Sequence, residues 1–317
     1  MSSGLTIVNG LALFAATGWL GKLMLPYRQA VRMRNALLLS RGRPEDFQWT
    51  PATVPSDFRV ERKRAPGEIE KAAQDAGAGT SEGDWPKALA LVTMLLRHST
   101  SEGAAIQADL ATTYVRIMAG AGYCADYVRV FLAAAHASGI FCRQWAFSFD
   151  GFGGHGHTFV EVYDRQHGKW RFLDIHNNVY AVTPGSDEPL AALELREALL
   201  VSPSLVEFRR AGSGRLGFED FDKLQAYYRR GAPQWYLWWG NDVITRDSTW
   251  LGRALQTVSG RLAHAVASIT TLPRLVVIVS DDNESKIASM ESLRHRLIGA
   301  LILVATLAIM LGIQIAR

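Results

Sequence analysis

Apolar residues recur along this chain with two distinct periods. Between residues 86 and 98, Ala88, Leu91, Leu95 and Leu96 fall on one helical face, and so do Ile106, Leu110, Tyr114 and Ile117 between 103 and 118. A third helical stripe, Val128, Phe131, Leu132 and Ala135, begins just after Cys124. The period then drops to two. Arg143, Trp145, Phe147 and Phe149 alternate with Gln144, Ala146 and Ser148, which predicts a strand. Residues 157–163 and 170–175 alternate in the same way, and the polar run 164–169 between them, with one glycine, reads as a hairpin loop. Helical spacing returns at 194–200 and at 217–230, where Phe218, Phe221, Leu224 and Tyr228 share a side.

Other stretches are less regular. Residues 234–240 carry Trp235, Tyr236, Trp238 and Trp239; a core strand is expected there, with a membrane-interface belt or a sugar platform as other readings. Residues 251–269 suggest a weakly amphipathic helix. Residues 273–279 are too short to span a bilayer and read as a strand or a membrane-surface segment. Between 41 and 85, a charge run at 59–64 and breakers at 65–67 and 77–83 suggest a mobile linker with one short helix near 68–76.

The two ends change the picture. Residues 297–316 contain no charged side chain, long enough for a helix to cross a bilayer. Residues 5–20 are also apolar, interrupted only by Thr6, Asn9 and Thr17. The start is uncharged, unlike a cleaved signal peptide, so an uncleaved transmembrane helix is expected over 1–25, with an amphipathic interfacial helix as the next reading and a signal peptide the last. Lys22, Arg28, Arg32, Arg34, Arg41 and Arg43 follow that segment; Arg294, His295 and Arg296 precede the last one, and only Arg317 lies beyond it. The positive-inside rule then puts the central region in the cytoplasm and both termini outside. The expected plan is a first span at 1–25, a basic juxtamembrane segment and linker at 26–84, a core at 85–200, a helical and aromatic extension at 201–293, and a second span at 294–317.

Composition adds limits. A chain of 317 residues with 48% hydrophobic and 20% charged side chains can fill a full core. The net charge of +4 comes from scattered basic residues, so no nucleic-acid partner is expected. Only Cys124 and Cys142 are present, which fits a reducing compartment better than a disulfide.

Candidate chemistry centres on Cys124. It follows the glycine-rich residues 119–122 and opens a helical stripe, so its thiol would feel the positive end of the helix dipole, which favours thiolate. A small buried hydrophobe is the alternative. If His157 faces Asp174 across the hairpin, the turn centre falls between Arg165 and Gln166, and an acid stands beside the imidazole. Cys124, His157 and Asp174 then form a nucleophile, base and orienter. Glu161 shares a strand face with His157 and is expected in an ion pair. The glycine-rich stretch 150–156 precedes a strand, not a helix, so a phosphate loop is excluded; it reads as a flexible rim or a plain loop. His155, His157, Asp174 and His176 have same-face spacing, but nothing else in the chain has metal-ligand spacing, so no metal and no cofactor is expected.

Four pieces in this order resemble the transglutaminase-like superfamily: Gly122-Tyr-Cys-Ala-Asp-Tyr127, Gly139-Ile-Phe-Cys-Arg143, the His157 strand with Glu161, and Trp170-Arg-Phe-Leu-Asp174. The resemblance implies an α+β fold with helices packed on an antiparallel sheet, here flanked by transmembrane helices. It implies Cys124 as nucleophile, His157 as base and Asp174 as orienting acid, with no calcium. It implies a membrane-anchored thiol hydrolase or acyltransferase acting on a protein, peptide or other amide or ester, hydrolysis being favoured, with other membrane proteins as further partners. A non-catalytic scaffold on the same fold is the alternative. The chain departs from the family's pattern at Ile175-His176, where Pro-Thr is frequent, and at Phe159, where Trp is frequent; no side-chain oxyanion donor is evident.

Overall fold

The computed structural model describes residues 2–24, 27–78, 82–99, 105–106, 108–214, 217–247 and 272–316. The alternating segments meet in one sheet. Its strands are β1 (Leu39–Gly42), β2 (Cys142–Ser148), β3 (Gly156–Asp164), β4 (Lys169–Leu173), β7 (Trp235–Trp238) and β8 (Leu275–Ile278), in the order β1-β8-β7-β2-β3-β4. All neighbours are antiparallel except β1 and β8. A separate antiparallel pair, β5 (Val179–Val182) and β6 (Glu207–Arg210), stands apart from it.

Both faces of the sheet are covered, which is why its strands bury successive residues rather than every second one. On one face lie α3 (Gly67–Ala73), α4 (Asp84–Leu96), α5 (Leu110–Met118) and α6 (Cys124–Ala137), packed over Cys142, Val160, Val162 and Leu173. That face continues under α2 (Tyr27–Leu38) and the last helix, which bury Ala36, Ile287 and Met290 against Ala146, Tyr236 and Val277. The opposite face is aromatic. Trp145, Phe147, Phe159, Phe172 and Trp235 pack there against α7 (Ala192–Val201) and α8 (Phe221–Gly231). The short α9 (Val243–Asp247) ends this part of the described chain.

Several expectations change. Residues 41–76 are not a mobile linker: they supply β1, α3 and the buried rings of Phe47, Trp49 and Phe58. Their charges and breakers sit at turns between buried anchors, a pattern that local composition does not distinguish from a linker. Residues 201–293 are not an appendage, because β7 and β8 complete the same sheet as β2 and β3. The tryptophan-rich run is core strand β7, and 273–279 holds β8, buried between β1 and β7. The helix expected from 103 begins at Leu110, where Asp109 caps it by accepting from the Thr112 N–H at 2.7 Å. The helix expected at 251–269 falls outside the described residues.

Within the sheet's aromatic face lies a buried ion pair. Arg143 and Glu161 are register partners on β2 and β3, with Arg143 Nε 2.6 Å from Glu161 Oε2. Neither side chain reaches solvent, so the bare charges would be costly. Other bonds offset that cost. Arg143 donates to the Phe47 carbonyl at 2.6 Å and its guanidinium lies over the Trp170 ring at 4.1 Å. Glu161 also accepts from Trp145 Nε1 and from the Ala192 N–H.

The last helix, α10 (Glu284–Ile315), runs unbroken out of this core. Ile287, Met290 and Leu297 are buried, and beyond them Ile298, Leu301, Ile302 and Ile309 are exposed. Among the described residues it is the one helix long and apolar enough to cross a membrane. The first helix, α1 (Ser2–Met24), covers the expected N-terminal span. It packs beside α10, where Asn9 donates to Gln314 at 3.1 Å.

Glu161→Ala is expected to lower unfolding free energy by about 3–5 kcal/mol, because it leaves the Arg143 charge buried without a partner. Replacing both residues with apolar ones of similar volume should recover most of that loss. Chemical denaturation of the native protein and the two variants checks this, and equal losses for single and double variants would contradict it.

Candidate active site

Cys124 is the first residue of α6, and the local sequence fixes that start. Gly120 and Gly122 adopt φ of 91° and 111°. A Cβ on Gly122 would crowd the Tyr127 ring at 3.3 Å, so the turn needs glycine there for both reasons. Asp126, in the helix's first turn, reaches back to accept from the Tyr123 N–H at 2.9 Å and the Ile106 N–H at 3.0 Å. The Cys124 N–H lies among the first amides of the helix, which have no intrahelical acceptor. Cys124 is half-buried, whereas Cys142 is buried and burial pushes the Cys142 thiol strongly up. Both cysteines are free.

His157 opens β3 and Asp174 follows β4. His157 Nε2 lies 2.7 Å from Asp174 Oδ2, with both side chains buried. The two are not directly opposed, as the hairpin reading expected. Val160 pairs with Leu173, so the next position on that register sets Asp174 against Phe159. The cause is the turn. Asp164 accepts from the Gln166 N–H at 3.1 Å and pairs with Lys169, which moves the turn centre between Gln166 and His167. A shift of two residues keeps the side chains on one face, so the imidazole meets the carboxylate diagonally.

Asp174 is surrounded by donors. Oδ2 accepts from Asn177 Nδ2 at 2.6 Å and from the Tyr228 hydroxyl at 2.5 Å, and Oδ1 accepts from the Asn177 N–H at 3.1 Å. Burial alone would raise its carboxyl; the imidazole and these donors outweigh burial and hold it below its ordinary value. For His157, burial pulls the imidazole down, but Asp174 and the Cys124 sulfur pull it up further, to about 10.

The surrounding wall is aromatic. The His176 ring lies edge-on to His157 and to Tyr127, with centroids 5.9 and 5.8 Å apart. Burial and then the His157 charge lower it to about 4, so it is neutral beside a charged neighbour. Tyr227 of α8 stands 5.8 Å from His157, centroid to centroid. The glycine-rich loop before His157 is fastened, not loose. Asp150 accepts from Ser148 Oγ at 2.6 Å and the Gly153 N–H at 2.9 Å, and the Phe152 carbonyl accepts from Asn35 of α2 at 2.8 Å. Among the described residues no three His, Cys, Asp or Glu side chains are arranged to hold a metal ion.

Helices packed on both faces of a mostly antiparallel sheet define an α+β domain of the transglutaminase-like type. Residues 71–175 match the model of the transglutaminase-like superfamily. No curated protein and no solved structure matches the chain.

Two site residues escaped the sequence reading. Tyr228 was placed on an apolar helical stripe, yet a buried tyrosine hydroxyl needs a partner, and that was the available signal. Asn177 carries no periodic signal that would mark it as a partner of Asp174.

The two ionisations set a pH window. The folded imidazole titrates above its ordinary 6.5, so its stabilisation is complete below that pH and is lost as pH rises towards about 10. The Asp174 carboxyl titrates below its ordinary 3.8, so its stabilisation holds above that pH and is lost on acidification. The stability gap between the native sequence and His157→Gln should therefore narrow between about pH 7 and 10, by on the order of a few kcal/mol. Urea denaturation across that range tests it; a constant gap would contradict the pairing.

Proposed function

We propose that the protein is a membrane-anchored thiol hydrolase or acyltransferase acting on an amide or ester carbonyl. One observation carries this reading. The imidazole of His157 is held by Asp174 through Nε2 at 2.7 Å, and its charged form is favoured further by the nearby Cys124. In the proposed reaction the Cys124 sulfur attacks the carbonyl carbon, and its proton resides on His157. The Cys124 N–H, free at the helix start, donates to the oxyanion. The C–N or C–O bond then breaks, His157 protonates the leaving group, and a thioester remains. An incoming water or amine gives a proton to His157 and releases the acyl group. Water is favoured, in line with the resemblance to family members of peptidase or amidase type.

Asp174 acts by keeping the ring oriented and charged. It stays ionised because its donors outweigh its burial. The anchor in this reading is α10, with α1 beside it. The basic residues flanking both helices support a cytoplasmic sheet domain.

Iodoacetamide at neutral pH should alkylate Cys124 well before Cys142 in the native protein. His157→Ala should slow alkylation of Cys124 by about tenfold or more, since one lost unit of thiolate stabilisation is a factor of ten. Mass mapping of the two cysteines measures both. Equal rates at the two thiols, or a rate indifferent to His157, would leave a non-catalytic scaffold as the better reading.

A further inference from the structure

The site contains a side chain that the superfamily match does not include. Tyr228 lies on α8, far beyond residue 175 where the match ends. Its hydroxyl donates to Asp174 Oδ2, the oxygen that also holds His157 Nε2. The residue is completely buried. Burial first and Asp174 second push its phenol far above the ordinary value, so the hydroxyl keeps its proton and serves only as donor here.

The ring is held independently of the hydroxyl. It packs against Phe147, Phe172 and Phe208 with centroids 5.2, 5.6 and 5.4 Å away. Those contacts come from two strands of the main sheet and one of the small sheet, so the phenol is aimed at the carboxylate by a rigid wall.

We infer that Tyr228 is a positioning residue for the Cys124–His157–Asp174 site, fixing the Asp174 carboxylate and limiting how strongly it attracts the imidazole proton. This rests on the thiol chemistry proposed above. A neutral donor on Oδ2 competes with the imidazolium for the same lone pairs and disperses part of the carboxylate's charge. Without it, Asp174 would turn more freely and pull harder on the His157 proton. The imidazole would then be slower to release that proton to a leaving group. The titratable groups facing His157 are Asp174 and His176 from the chain after β4, Cys124 from α6, and Tyr227 and Tyr228 from α8. Tyr228 is the one among them that bonds the carboxylate without carrying charge.

Tyr228→Phe separates this role from packing, because it removes one oxygen and leaves the ring in place. The test follows the His157 imidazole by nitrogen NMR in the full chain, its signal assigned by its loss in His157→Gln. In Tyr228→Phe the imidazole should titrate about one pH unit higher, the amount expected when one hydrogen bond to a charged group is lost. A tyrosine with only a packing role would leave that titration where it is, whatever it did to stability. The same samples are treated with iodoacetamide. If Cys124 alkylation depends on His157 but the imidazole titration is unmoved or falls in Tyr228→Phe, the role of Tyr228 is overturned while the thiol reading stands. If alkylation is indifferent to His157, the thiol reading fails and the inference fails with it. Should Tyr228→Phe fold poorly, Phe208→Leu serves as the control. It disturbs the same wall but keeps the hydroxyl, and should leave the titration unchanged; an equal shift in both would also overturn the inference.

Discussion

A carboxylate with no access to water, Asp174, is the constraint around which the site is built. Left alone in the interior it would take up a proton. It stays charged because an imidazolium, a phenol and a side-chain amide all donate to one of its oxygens. Those donors come from β3, from α8 and from the turn after β4. The carboxylate therefore ties together parts of the chain separated by more than fifty residues.

The same strand carries a second buried charge. His157 and Glu161 lie four residues apart on β3, on one face, with Phe159 between them. At one end the strand offers a cation to Asp174; further along it offers an anion to Arg143. The resemblance in sequence included both Glu161 and Arg143 without giving them a task. The structure gives one: they lock β2 to β3 in the register that places His157. A slip of one residue would break the ion pair and turn the imidazole to the other face together.

Much of this was legible because it is local. Helical and alternating periods located α4, α6, β2, β3 and β4, and the glycines before Cys124 marked a helix start. The face shared by His157 and Asp174 was legible even though their register was not, because face depends only on parity. What was not legible depended on distant partners. Asp164 sets the turn through its own side chain, which spacing does not reveal. Residues 41–76 look like a linker until Phe47, Trp49 and Phe58 are seen filling the aromatic face. Tyr228 looked like core because it is core; its second task lies in one hydroxyl. The strand β8 pairs with β1 across more than two hundred residues, a contact no local pattern encodes.

The account's central claim is that Cys124 is an acylatable sulfur activated by this site. Treating the full chain with p-nitrophenyl acetate and mapping the product by mass spectrometry tests it most directly. The account predicts release of p-nitrophenol and one acetyl group on the sulfur of Cys124, absent in His157→Ala. Acetyl groups found only on lysines, or on Cys124 equally with and without His157, would contradict it.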